Sequence, residues 1–215
     1  VPHDLPLEHA ALTEPLACVM RGLEECQARP GDLVAIIGAG PIGLLFVHAA
    51  ALAGMEVIAV VKHQEQVEAA RLLGAARVVQ SVAVRETVAA VRSLTPDARG
   101  VDVAIEAVAV PETWKGAVEM ARKGGVVNFF GGPPAGTRVQ LDTNLLHYSD
   151  LTLKASFHHT PSSVRAAFRL LTGGRFQSHR FITGRAPLAD VSGVYDRMLV
   201  PNAQRTIDIK TAIIP

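Results

Sequence analysis

Leu33-Val34-Ala35-Ile36-Ile37-Gly38-Ala39-Gly40-Pro41-Ile42-Gly43-Leu44-Leu45 is an apolar run that breaks into glycines and then resumes at helical spacing. Gly38, Gly40 and Gly43 form the pattern G-x-G-x-x-G. At that spacing the first glycine permits a tight turn, the second lets backbone approach a pyrophosphate, and the third lets the following helix lie close to the strand. Pro41 and Ile42 open that helix, whose free N–H groups and dipole face the phosphates. Methyltransferases and chance glycine clusters produce the same pattern, so its surroundings must discriminate.

Those surroundings alternate. Apolar strands are expected at 33–37, 57–61, 77–80, 101–106, 126–130 and 151–157, with helical spacing at 42–53, 64–73, 85–93 and 111–123 between them. Near-continuous apolar strands separated by helices predict a six-stranded, doubly wound parallel sheet covered on both faces, a Rossmann-type α/β fold. Ahead of it, residues 5–28 repeat apolar side chains at helical spacing. Beyond it, a helix to Leu171, a strand at 181–183, a helix at 188–199 and a strand at 206–210 break the alternation, as expected of a different packing unit.

The bulk numbers narrow the classes. The chain has 215 residues with 21 Lys+Arg against 20 Asp+Glu, which offers no basic surface for nucleic acid. No apolar stretch is long enough for a membrane span. Cys18 and Cys26 have neither metal-knuckle spacing nor a disulfide framework, and two reduced thiols suit a cytoplasmic location. Val1-Pro2-His3-Asp4-Leu5-Pro6-Leu7 reads as the interior of a longer chain.

The end of the second expected strand bears on the cofactor. An acid there binds ribose hydroxyls and repels a 2′-phosphate. Here Val61 is followed by Lys62 and His63, so the expectation leans to NADP over NAD. The alternative is a solvated Lys62-His63 loop with Glu65 reaching the ribose. A methyltransferase would also want an acid at that place.

Glu14-Pro15-Leu16-Ala17-Cys18, the glycine motif, and Leu73-Gly74-Ala75 together resemble the zinc-dependent medium-chain dehydrogenase family. Asp142-Thr143-Asn144-Leu145-Leu146-His147-Tyr148 and Ala155-Ser156-Phe157-His158-His159-Thr160-Pro161 resemble its sorbitol, threonine and polyol branch. The resemblance covers nearly the whole chain. It implies a linking segment and leading helix at 1–32, a dinucleotide-binding domain at 33–157, and a return into a GroES-like catalytic domain at 158–215. It implies hydride transfer between a small alcohol or polyol and NAD(P), with zinc in the complete enzyme.

By the same resemblance Glu14 lies at the metal, where the residues alone allow a helix-capping acid. Ala107, Val108, Phe130, Gly131 and Gly132 line the nicotinamide crevice, walled by Phe157 and His158 or, alternatively, with those two in plain packing. Adjacent His158 and His159 would point to opposite faces if the strand persisted through them. The family's Cys and Gly-His-Glu ligands find no match, so this chain alone is expected to form no metal site and to be inactive. A homodimer or homotetramer through the edge strand at 151–157 is expected. The non-catalytic alternative is a dinucleotide-binding or oligomerising module.

Overall fold

The computed structural model describes residues 1–3, 5–81, 83–200 and 208–215. Its helices are α1 (Leu7–Ala10), α2 (Thr13–Glu25), α3 (Pro41–Leu52), α4 (Gln64–Leu72), α5 (Val84–Ser93), α6 (Pro111–Met120), α7 (Thr143–Tyr148), α8 (Pro161–Thr172) and α9 (Val191–Leu199). The strands are β1 (Leu33–Ile37), β2 (Glu56–Val61), β3 (Arg77–Gln80), β4 (Val101–Glu106), β5 (Ala121–Phe129), β6 (Thr152–Ala155), β7 (Ile182–Pro187) and β8 (Lys210–Ile214).

Six strands form one parallel sheet in the order β3-β2-β1-β4-β5-β6, and β7 and β8 pair in parallel as a second small sheet. The order reverses between β1 and β4, which opens a crevice at their carboxyl ends. Every residue of β1 is buried. Val34 and Ile36 face a core with α2, α3, Ala167 and Leu171 of α8, Phe176 and Phe181. Leu33, Ala35 and Ile37 face a second core built by α5 and α6. Burial on both faces explains why β1 reads as a continuous apolar run.

Several boundaries differ from the sequence expectation. The pattern at 5–28 is two helices, because Pro15 has no N–H to bond the carbonyl of Ala11 and is tolerated only in a first turn. Helix α6 stops at Met120 instead of Lys123, and Ala121 already pairs with Val101. Arg122 Nε donates to Asp102 Oδ1 at 2.5 Å, holding residues 121–123 beside β4, and the register shifts between Val101 and Val103. Gly124, at φ 68°, turns within the irregular stretch that follows.

The expected strand at 151–157 covers only Thr152–Ala155. Ser156 leaves the ladder, donating to Glu25 Oε2 at 2.5 Å and accepting from Asn128 Nδ2 at 2.9 Å. Helix α7 was not expected as a helix; Asp142 Oδ1 accepts from the N–H groups of Asn144 and Leu145 and caps it. The strand near 181–183 runs through Ile182–Pro187, and the helix expected from Leu188 begins at Val191 after a short 3-10 turn. The final strand lies at Lys210–Ile214; residues 206 and 207 of the expected strand fall outside the described residues.

Candidate functional site

Each motif glycine has a separate steric reason. Gly38 sits at φ 99°, and a Cβ there would meet Val108 Cγ2 at 2.6 Å. A Cβ on Gly43 would lie 1.8 Å from the Gly38 carbonyl oxygen, so only glycine lets α3 approach the β1 turn. Around Gly40 nothing lies within 4 Å of a Cβ position, which leaves open space over the loop. Pro41 occupies the first helical turn and α3 carries no side-chain N-cap, so its leading amides face the crevice.

The opposite wall comes from the ends of β4 and β5. Ala107 N donates to Ile37 O at 2.9 Å, and Val108, half-exposed, lies over Gly38. A Cβ on Gly131 would meet Ala109 N and Glu106 Oε2, both at 2.6 Å, whereas Gly132 is open. Phe130 is partly buried, with its ring edge-on to Phe46 at 4.8 Å between ring centres.

Glu106 shapes this wall and escaped the sequence reading. It is fully buried at the end of β4. Its Oε1 accepts from Val108 N (2.8 Å), Ala109 N (2.9 Å) and Thr113 Oγ1 (2.7 Å), and its backbone carbonyl accepts from Phe130 N (3.0 Å) and Gly131 N (2.8 Å). Ala109 is held at φ 73°. Burial pushes the carboxyl above its ordinary range, against the pull of those donors. The signal available in sequence is an acid directly after the apolar triplet Val103-Ala104-Ile105.

At the end of β2, Gln66 is a second residue that sequence reasoning missed. Its Oε1 accepts from the N–H groups of Lys62 and His63, both at 3.0 Å, while Nε2 donates to Ala39 O at 3.2 Å. One side chain thus ties the Val61-Lys62-His63 turn to the glycine loop. Both border a cavity of about 680 Å³, lined also by Glu65, Arg185 and Arg197. Arg185 pairs with Glu8 and Arg197 with Asp190.

In the turn that follows β6, Phe157 and His158 are exposed and stand edge to face, 4.3 Å between ring centres. The strand ends before them, so the condition for opposed histidines is not met. Glu14, His158 and His159 each bring a potential ligand atom within 4.8 Å of the others, and His159 Nε2 stands 3.9 Å from Glu14 Oε1. Cys18 Sγ donates to Glu14 Oε1 at 3.3 Å, and burial and that carboxylate push its thiol up to about 11. Both cysteines are free thiols. Among the remaining histidines His48 is a satisfied core residue, bonded to Leu73 O and to Gln177 N, each at 3.0 Å.

A parallel sheet in the order 3-2-1-4-5-6, with a glycine loop at its switch point, defines a dinucleotide-binding α/β protein. A family model described as zinc-binding dehydrogenase matches residues 41–173, and the chain belongs to that family. It is 26% identical over 200 residues to a sorbitol dehydrogenase of Bacillus subtilis, covering 93% of this chain and 56% of that protein. It is 28% identical to a D-arabitol-phosphate dehydrogenase of Enterococcus avium, covering 94% and 57%.

Among solved structures, a zinc-binding dehydrogenase of Sinorhizobium meliloti 1021 bound to NADP superposes with a TM-score of 0.88 at 31% identity, over 100% of this chain and 61% of that one. The alcohol dehydrogenase TADH of Thermus sp. ATN1 superposes with a TM-score of 0.87 at 30% identity, over 100% and 61%. The chain therefore spans somewhat more than half the length of these relatives. Among the described residues no helix is long and apolar enough to cross a membrane.

Proposed function

We propose that this chain is the cofactor-binding part of a zinc-dependent alcohol or polyol dehydrogenase that transfers hydride between a secondary alcohol or sugar-like polyol and NAD(P). The observation that carries this reading is the glycine loop at the β1/β4 switch point, open above Gly40 and closed beneath Gly43. In this reading the leading amides of α3 hold the pyrophosphate, and Val108, Gly131 and Gly132 wall the nicotinamide, with Phe157 and His158 at its outer side. Zinc, when bound, polarises the alcohol oxygen and favours its alkoxide-like form. Glu14 is an oxygen donor fitted to that ion. We retain the division into 1–32, 33–157 and 158–215, although α2 and α8 share one core with the sheet.

NADP is the preferred cofactor in this proposal. No acid ends β2 to repel a 2′-phosphate; Lys62 and His63 follow Val61, and His63 lines the cavity that also takes in Arg185 and Arg197. Fluorescence titration of the chain should give NADPH a Kd at least about tenfold below that of NADH, with His63→Asp reversing the order. Tighter NADH binding, weakened by Glu65→Gln, would instead assign the ribose to Glu65. Preference for S-adenosylmethionine over both would overturn the dehydrogenase reading.

The proposal includes a cytoplasmic homo-oligomer. Strand β6 is the last of the sheet, bonded on one side to β5, and its open side would pair with the same strand of a second copy. Sedimentation equilibrium of a monomer at micromolar concentration would count against it.

A further inference from the structure

The resemblance to known dehydrogenases assigns only Glu14 to a metal; it places His158 on the cofactor side and gives His159 no task. We infer that Glu14, His158 and His159 form a three-ligand site for a borderline divalent cation such as zinc, built wholly from this chain. This departs from the expectation that the chain alone forms none.

Polar bonds over long sequence distances hold the corner. Arg21 Nη1 donates to Phe157 O at 2.9 Å, and Arg21 Nε pairs with Glu25 at 2.8 Å. Lys154 Nζ donates to Glu25 O at 2.6 Å, and Ser156 joins Glu25 to Asn128. On the far side Thr160 caps α8, its N–H donating to Ser163 Oγ at 2.9 Å and its Oγ1 accepting from Ser163 N at 3.2 Å. The two histidines are thus fixed from both ends against α2, the helix that carries Glu14.

Between those anchors His158 adopts φ 67°, a left-handed conformation that breaks the strand alternation. Both imidazoles then fall on the side of Glu14, their ring centres 5.8 Å apart. The three ligand atoms lie within 4.8 Å of one another. Tetrahedral zinc with bonds of about 2.0–2.2 Å wants its donors roughly 3.3–3.6 Å apart, an approach of about 1 Å that exposed side chains make by rotation. Cys18 fixes the carboxylate from one turn along α2.

Two imidazoles and a carboxylate select zinc or cobalt over magnesium or calcium, which take oxygen sets. Three protein ligands leave a fourth position open. A mere surface ion pair between His159 and Glu14 would be worth little and would give no reason for His158 to join it. The placement of that open position beside nicotinamide rests on the dinucleotide reading above; the binding of the ion does not.

Titrating the 215-residue chain with cobalt(II) should give intense visible d–d bands of a four-coordinate ion, saturating at one equivalent and displaced by zinc but not by magnesium. Glu14→Gln, His158→Gln and His159→Gln should each weaken cobalt binding at least tenfold with unchanged circular dichroism, while His147→Gln leaves it unaltered. Weak, pale, non-saturating cobalt spectra, or equal affinity in the double variant H158Q/H159Q, would overturn the site. NADPH titration of the same samples keeps the two readings apart. Cobalt binding without NADPH binding refutes only the dinucleotide reading, and the converse refutes only the metal site.

Discussion

The glycine loop and the corner at Phe157–Thr160 solve the same problem by opposite means. At the loop, position is set by what is absent. Gly43 has no Cβ, so a backbone carbonyl occupies its place, and the surrounding strands are apolar and buried. At the corner, position is set by what is present: Arg21, Glu25, Ser156 and Thr160 tie an exposed and a half-buried histidine to α2 through charge-assisted and capping bonds. The first arrangement fails by steric collision and should fail completely. The second should fail by degrees, because exposed polar groups exchange partners with water.

The sharpest way to break this contrast lies within the motif itself. Gly43→Ala drives a Cβ into the Gly38 carbonyl and is expected to destabilise the chain by about 3 kcal/mol or more, read as a lowered urea midpoint. Gly40→Ala, at φ −73° and with nothing near its Cβ, should cost about 1 kcal/mol or less. It should nevertheless weaken NADPH binding, because the added methyl stands where the pyrophosphate approaches. Equal loss of stability in both would mean that the loop is tight throughout and that Gly40 is not the ligand-facing residue.

Glu106 tests whether the crevice wall resembles the loop or the corner, since it is a polar bridge but a buried one. Glu106→Ala strands the N–H groups of Val108 and Ala109 and should cost about 2–4 kcal/mol. Because burial raises the folded-state carboxyl above its ordinary 4.5, the folded chain holds that proton longer than the unfolded one. Its contribution is therefore full below 4.5 and declines as pH rises through the folded-state value. Glu106→Gln, which keeps the accepting oxygen, should remove that decline while costing less than the alanine. A stability profile that keeps the same decline in the variant would assign it to another group.

How much could be read beforehand follows the same division. The six-stranded parallel sheet was legible because burial on both faces writes β1 and β2 as nearly unbroken apolar runs, and because the glycines mark the turn. The end of α6 was not legible, since the pairing of Ala121 with Val101 and the pull of Asp102 on Arg122 are tertiary events that override a helix-forming sequence. Gln66 and Glu106 belong to no motif in the sequence; only the fold brings their oxygens to backbone amides. The convergence of His158 and His159 depended on one left-handed residue, for which histidine gives no more than a weak local signal.

A more local effect concerns the seam between α3 and the turn at 176–181. Gln177 N donates to Nε2 of His48, so Nδ1 carries the proton given to Leu73 O, and the imidazole is neutral. It packs on Phe176 and Phe181, and burial lowers its pKa below the ordinary 6.5. The unfolded chain then binds a proton that the folded chain refuses. Stability is full above 6.5 and is lost as pH falls from there through the folded-state value, the opposite sign to Glu106. The amide of Gln177 should lose protection from hydrogen exchange over that window before the amides of β1 do. His48→Leu should cost about 1–3 kcal/mol at neutral pH through its two stranded partners, yet flatten the acid slope between 6.5 and the carboxylate range. An unaltered slope would show that the seam between α3 and the turn does not govern the acid response.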